Sequence, residues 1–169
     1  MFINFNKTRF NKKYIELISK SYDYAIKVLK VPCKELEVNI DFVSKKRIKE
    51  LNSKFRNKNA VTDVLSFPSL LEEGVENMQL IADKLSKENY PFGINPENNY
   101  IFLGDICICK SVVYKQAKKY GNTRTREMTY MAVHGLLHLL GYDHLLDADK
   151  KIMRETEEKI MKHVKLERE

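Results

Sequence analysis

Residues 123–140 carry Met128, Met131, Ala132, Val133, Leu136, Leu137, Leu139 and Leu140, so a helix drawn through them is apolar on nearly every side. A helix with one apolar stripe can lie on a surface, whereas one that is apolar all round has to be enclosed. This segment is therefore expected to run through the middle of the core, with the rest of the chain built around it. Thr123 is suited to cap its start, and Gly121 to end a preceding helix over residues 111–120. A length of 169 residues suits one compact domain, expected to span 1–169.

The remaining segments supply what such a helix needs as cover. Residues 1–6 alternate as an opening strand. Over about 11–30, Tyr14, Ile18, Tyr22, Ile26 and Leu29 fall on one helical stripe that Pro32 stops. Residues 35–42 alternate strictly, with Leu36, Val38, Ile40 and Phe42 predicted on a buried face and Glu35, Glu37, Asn39 and Asp41 on the other. Ser44 can cap a helix that turns Ile48, Leu51 and Phe55 inward. VTDVLSFP reads as a short strand ending at Pro68, and YIFLGDICIC at 100–109 as a more thoroughly buried one.

Residues 69–99, with Pro91 and Pro96 inside and Pro68 beside them, show little periodicity and are expected as a long surface insertion with a short helix near 76–86. A last helix over about 146–164 should pack on the outside through Ile152, Met153, Ile160 and Val164. The expected class is α+β: a small mixed sheet packed with helices in a single domain, with the buried helix at its centre.

The charge of +7 is unevenly spread: residues 1–66 hold fifteen Lys or Arg against seven Asp or Glu, and the stretch 45–58 alone has seven basic residues and one acidic. A stripe of this kind suits a polyanion, because each cation set on a phosphate releases counterions, and it equally suits a solvated lysine-rich face. No apolar run approaches the ~20 residues of a membrane span. The opening MFINFNKTRF lacks the order of a secretory signal, so a cytoplasmic location is expected. Cys33, Cys107 and Cys109 make an odd number without a CxxC pair, so no disulfide framework is expected. Cys107 and Cys109 share a strand face and read as small buried residues rather than ligands.

Three of the four histidines lie in HGLLHLLGYDH, at positions 134, 138 and 144. Residues four apart on a helix share a face, so His134 and His138 can reach one ion. His144 is too far along to join them unless the helix ends, and Gly141 can take the left-handed conformation that turns the chain back. Three neutral imidazoles leave a fourth tetrahedral position open, the pattern of a catalytic zinc site, where bound water can ionise near pH ~7. One zinc ion per chain is expected on His134, His138 and His144.

The spacing HxxxHxxGxxH resembles the metzincin metalloproteases, but Gly135 stands where those enzymes carry a glutamate base, which argues against peptide hydrolysis. The fuller string HGLLHLLGYDH, with LNSKFRNKNAVTDVLSFP at 51–68 and LGDICI at 103–108, resembles the YbeY family of bacterial endoribonucleases and rRNA maturation factors. The three blocks lie in the family's order and extend over much of residues 36–165. The resemblance implies a zinc-dependent hydrolase, a single-strand-specific endoribonuclease acting in maturation of the 16S rRNA 3′ end and in ribosome quality control. It implies His134, His138 and His144 as metal ligands and Arg56 as the functionally important arginine. Single-stranded RNA, small-subunit ribosomal proteins and an Era-type GTPase are the partners it implies. The 69–99 stretch is longer than is usual in that family.

Arginine suits a phosphoryl group because its planar fork grips two oxygens at once. Asp143, beside a ligand, could orient an imidazole or act as a base, whereas Asp63 and Asp105 read as turn or capping residues. The alternative from another class is an RNA- or ribosome-binding assembly factor whose zinc is structural, for which the basic residues 45–58 would serve equally well.

Overall fold

A computed structural model describes the chain except residues 7–10, 71–78, 145 and 168–169. Strand β1 (Phe2–Asn6) leads to helix α1 (Lys12–Val28), then β2 (Leu36–Phe42), α2 (Lys45–Arg56), β3 (Val64–Pro68) and the short α3 (Gln79–Lys84). A 3-10 turn (Pro91–Gly93) precedes β4 (Ile101–Ile108), α4 (Lys110–Lys119), α5 (Arg124–Leu139) and α6 (Asp147–His163). The strands form one mixed sheet in the order β1-β2-β4-β3, parallel except for the antiparallel pair β3/β4. None of the described helices is long and apolar enough to cross a membrane.

Local signals explain several helix boundaries. Asn11, Ser44 and Thr123 each accept a hydrogen bond from a first-turn backbone N–H of α1, α2 and α5, satisfying donors that the helix itself leaves open. Gly121, at φ +72°, follows α4 as expected of a helix stop. Helix α5 lies across one sheet face, enclosed by α1, α4 and α6. Tyr22 of α1 ties into it by donating to the Ala132 carbonyl at 2.8 Å. Leu136, Leu137, Leu139, Val133 and Met128 are fully enclosed, each contributing roughly 1.5–3 kcal/mol of apolar burial. The pairing of α5 with the sheet needs a residue without a side chain: a Cβ on Gly135 would lie 2.8 Å from Cγ2 of Ile106.

Four details differ from the sequence reading, the burial of Glu37 described below among them. Phe55 is 53 % exposed and meets Phe67 edge-on instead of entering the core; α2 is too short to bury its last turn, and Asn52 is the buried residue there. Ile152 is likewise 52 % exposed, and the inner face of α6 carries Met153, Glu157, Ile160 and Met161. The 69–99 segment, expected on the surface, sends Leu70, Ile81, Ala82 and Leu85 into the core; the last three lie on or just after the short α3, whose single turn and a half is too brief to show a sustained period. The helix expected near 76–86 is α3, and residues 76–78 of that expectation lie outside the described residues.

The second face of the sheet is only partly covered. Ile48 of α2 packs with Leu65, Cys107 and Cys109 at one end of β3 and β4. Burial raises the Cys107 thiol to about 11, with the Asp41 and Asp105 carboxylates adding to the effect and Arg47 opposing it, so it stays a protonated packing residue. Glu37, predicted on the exposed face, is buried beneath the 90–100 loop.

Candidate metal centre

From Arg126 to Leu139 every residue of α5 is buried except Tyr130, His134 and His138. Spaced by four, these three form a single accessible stripe along an otherwise dry helix. The stripe ends in a Schellman motif: the Tyr142 N–H donates to the Leu137 carbonyl at 2.9 Å and the Gly141 N–H to His138 at 3.1 Å. Gly141 itself sits at φ +94°, where a side chain would be strained. The reversal brings His144 back, its ring centroid 5.6 Å from His134 and 5.0 Å from His138. One ligand nitrogen from each of the three histidines lies within 4.8 Å of the others, so the group can hold a metal ion.

Hydrogen bonding decides which nitrogens are available. Glu157 of α6, only 3 % exposed, accepts from His134 Nδ1 at 2.7 Å on Oε1 and from the Tyr130 hydroxyl at 2.6 Å on Oε2. A carboxylate only accepts, so the His134 proton resides on Nδ1 and Nε2 presents a lone pair. The Tyr142 backbone acts on His138 in the sense that favours a protonated ring nitrogen. His138 Nε2 lies 3.1 Å from His134 Nε2. In the tautomer with its proton on Nδ1, His138 turns a second lone pair toward that of His134, and a shared cation answers both. A tetrahedral ion bound at about 2.0–2.1 Å sets neighbouring nitrogens roughly 3.3 Å apart, and the donor set fits it.

The electrostatics favour ligation in the same sense. The His138 imidazole is lowered to about 4, first by burial and then by the neighbouring His134 and His144, with the Tyr142 backbone and Asp143 opposing. It is neutral at physiological pH, as a metal ligand must be.

Sequence reasoning missed Glu157, which it counted among the balanced charges of α6. The signal was present: Met153, Glu157, Ile160 and Met161 follow one inward stripe, so a carboxylate stands at a core position. Gly135 could not hold a catalytic carboxylate even if substituted, because its missing side chain points at Ile106 and not toward the histidines.

The other candidates fall into distinct places. Asp143 Oδ1 accepts from the His144 N–H at 2.7 Å and so shapes the loop. Asp63 caps the start of β3 through the Val64 N–H and accepts from Gln116, and Asp105 accepts from Asn39 on the sheet's second face. Arg56, at the exposed end of α2, donates from Nη2 to the Ser66 carbonyl of β3 at 3.0 Å.

With this geometry in hand, comparison with known proteins gives consistent answers. The family model described as Endoribonuclease YbeY matches residues 2–165. A protein named Endoribonuclease YbeY from Clostridium kluyveri is 40% identical over 167 residues, covering 95% of both chains. One of the same name from Clostridium botulinum strain 657 is 38% identical over 168 residues, 96% of this chain and 95% of that one. Among solved structures, the solution structure of TM1509 from Thermotoga maritima superposes with a TM-score of 0.59 at 29% identity, covering 96% of this chain and 89% of that one.

Proposed function

The chain belongs to the YbeY endoribonuclease family, and from that premise we propose that it is a zinc-dependent, single-strand-specific endoribonuclease acting in 16S rRNA 3′-end maturation and ribosome quality control. The observation that carries the reading is the convergence of His134, His138 and His144, with one ligand nitrogen of each within 4.8 Å of the others and the Nε2 atoms of the first two 3.1 Å apart. These three residues hold the metal, and Arg56 is the catalytic arginine. The whole chain works as one domain, with 69–99 as an elaboration of it. Small-subunit ribosomal proteins and an Era-type GTPase are the proposed partners, in the cytoplasm.

Zinc bound there supplies Lewis acidity toward water or a phosphoryl oxygen. Glu157 holds the proton on His134 Nδ1, which keeps Nε2 turned inward and raises its basicity. The Schellman turn fixes His144 relative to the other two ligands. Arg56 is steadied by the Ser66 carbonyl through one Nη2 donor, leaving its other N–H groups for nonbridging phosphate oxygens, where they offset charge developing in the transition state. The basic residues of α2 hold the RNA backbone.

The test is metal analysis together with cleavage of single-stranded RNA by the wild type, the three His→Ala variants and Arg56→Ala. His138→Ala is expected to lose bound zinc and about 10³-fold or more in rate; Arg56→Ala loses most cleavage while retaining zinc. Equal RNA degradation by wild type and His138→Ala sinks the enzyme reading, and unchanged cleavage by Arg56→Ala removes that residue from the mechanism.

A further inference from the structure

A cavity of about 370 Å³ opens on the second face of the sheet, lined by Glu37, Asn39, Ser69, Phe92, Asn95 and Phe102 among others. Its size lies near the lower end of the ~300–1,000 Å³ of small-ligand sites, room for a single nucleoside. The Glu37 carboxylate is 6 % exposed and its Oε2 accepts from both Asn95 Nδ2 at 2.7 Å and Asn98 Nδ2 at 2.9 Å. Among the described residues Oε1 has no partner, and it is not sealed from solvent. Asn39 Oδ1 also receives no hydrogen bond, its amide nitrogen donating to Asp105, but that oxygen is shut off from solvent. At the rim Phe92 is 66 % exposed.

The polar side chains around this cavity already donate to protein acceptors: Ser69 to the Phe102 carbonyl, Asn95 through one N–H to Glu37 and Asn39 through one N–H to Asp105. The one charged side chain among the named lining residues is Glu37, a negative acceptor that shares the cavity with an open aromatic ring. A phosphate is repelled by that combination; a flat group with two adjacent N–H donors is matched by it. Guanine alone among the RNA bases carries two adjacent donors on its Watson–Crick edge, and that edge is free only when the base is unpaired.

The rest of this face suits the same ligand. The register pairs Glu37 with Phe102, Asn39 with Asp105 and Asp41 with Cys107. Cys107 packs beneath Ile48 of the basic α2, so the cavity and the cationic helix share one side of the sheet. From Glu37 to Asp41 is about 13 Å at ~3.3 Å per residue, within reach of one short strand.

Resting on the endoribonuclease reading, we propose that this cavity is a base-recognition pocket for one unpaired guanine, whose ring and amino N–H groups donate to Glu37 Oε1 while its ring lies against Phe92. Stacking on Phe92 tolerates any base, and Glu37 selects.

The test is fluorescence anisotropy of the full chain with labelled 2′-O-methyl pentanucleotides AAGAA, AAIAA (central inosine) and AAAAA. Wild type is expected to bind AAGAA at least about tenfold more tightly than AAAAA, with the inosine strand between them because it lacks the amino group. Glu37→Gln abolishes the preference, and Phe92→Ala weakens all three about tenfold alike. Equal binding of AAGAA and AAAAA by wild type overturns the proposal, as does a preference that survives in folded Glu37→Gln. If that variant unfolds, wild-type amide NMR shifts decide: guanine-dependent shifts at Gly93 and Ile94 carry the proposal and their absence ends it. Stronger competition by an arginine-containing peptide than by AAGAA also overturns it. Cleavage is scored separately, so guanine preference without RNA cleavage defeats only the endoribonuclease reading, and cleavage without guanine preference defeats only the pocket.

Discussion

Glu157 and Glu37, two of the carboxylates buried among the described residues, lie on opposite sides of the sheet and are used in opposite senses. Glu157 engages both oxygens with protein donors, His134 and Tyr130. Glu37 concentrates two amide donors on one oxygen and keeps the other free. A buried charge has to be answered by hydrogen bonds; each carboxylate receives two from the protein, but where they are shared between both oxygens the group is a brace, and where both fall on one oxygen the other is an invitation to a ligand. The setting differs too. Glu157 is gripped between two long helices, whereas the amides that hold Glu37 come from a loop.

The hardest way to break this comparison is at the residue that joins the two regions. Gly104 of β4 sits at φ +136°, and a Cβ there would lie 2.2 Å from the Phe67 carbonyl oxygen and 3.1 Å from Leu139 Cδ2 of α5. Gly104→Ala is expected to destabilise the fold by more than about 3 kcal/mol, through backbone strain and overpacking together. Urea unfolding followed by tyrosine fluorescence and circular dichroism should show one transition; a loss below about 1 kcal/mol would mean that sheet and α5 separate without penalty.

Next in size is the brace itself. Glu157→Gln should weaken metal binding about 10–100-fold, read by competition with a chromogenic chelator, while Glu37→Gln leaves metal affinity as it is. Equal effects of the two variants would erase the distinction between brace and recognition group.

A third outcome concerns acid. In metal-free protein His138 is held down at about 4 by burial and by its neighbouring histidines, against about 6.5 in an unfolded chain. Between these values the unfolded state carries more protons, so stability rises with pH across the window. The contribution is fully present above about 6.5 and is lost as pH falls toward about 4. Chelator-treated protein should be on the order of 2 kcal/mol less stable at pH 5 than at pH 7, measured by urea midpoints; identical midpoints would show that His138 gains its proton without resistance.

The smallest effect sharpens the other side of the comparison. Lys49→Ala on α2 should reduce the salt dependence of single-strand binding by a slope of about 0.7 without altering metal content. An unchanged slope would take Lys49 out of the RNA footprint.

Much of the metal centre was legible before any coordinates because its parts are local. The four-residue spacing of His134 and His138, the Gly141 stop and the Thr123 cap are each decided within a turn or two of chain. Phe55, Ile152 and Glu157 were misplaced for one reason: helical periodicity names a stripe, but which part of it is buried depends on the neighbour that arrives. The 69–99 segment offers only the six residues of α3 as regular structure, too short a window for the spacing of Ile81 and Leu85 to mark a buried face, and Leu70 stands outside any helix.

Backbone sterics and hydrophobic patterning, both short-range, were enough for the amino-acid order alone to determine the buried central helix, the return of His144 beside it and the mixed α+β class. Only tertiary packing decided that a carboxylate 23 residues from His134 would hold its Nδ1 proton, and that Glu37, Asn95 and Phe92 would enclose one cavity. Contacts between distant segments depend on how whole elements dock, and no local pattern encodes that.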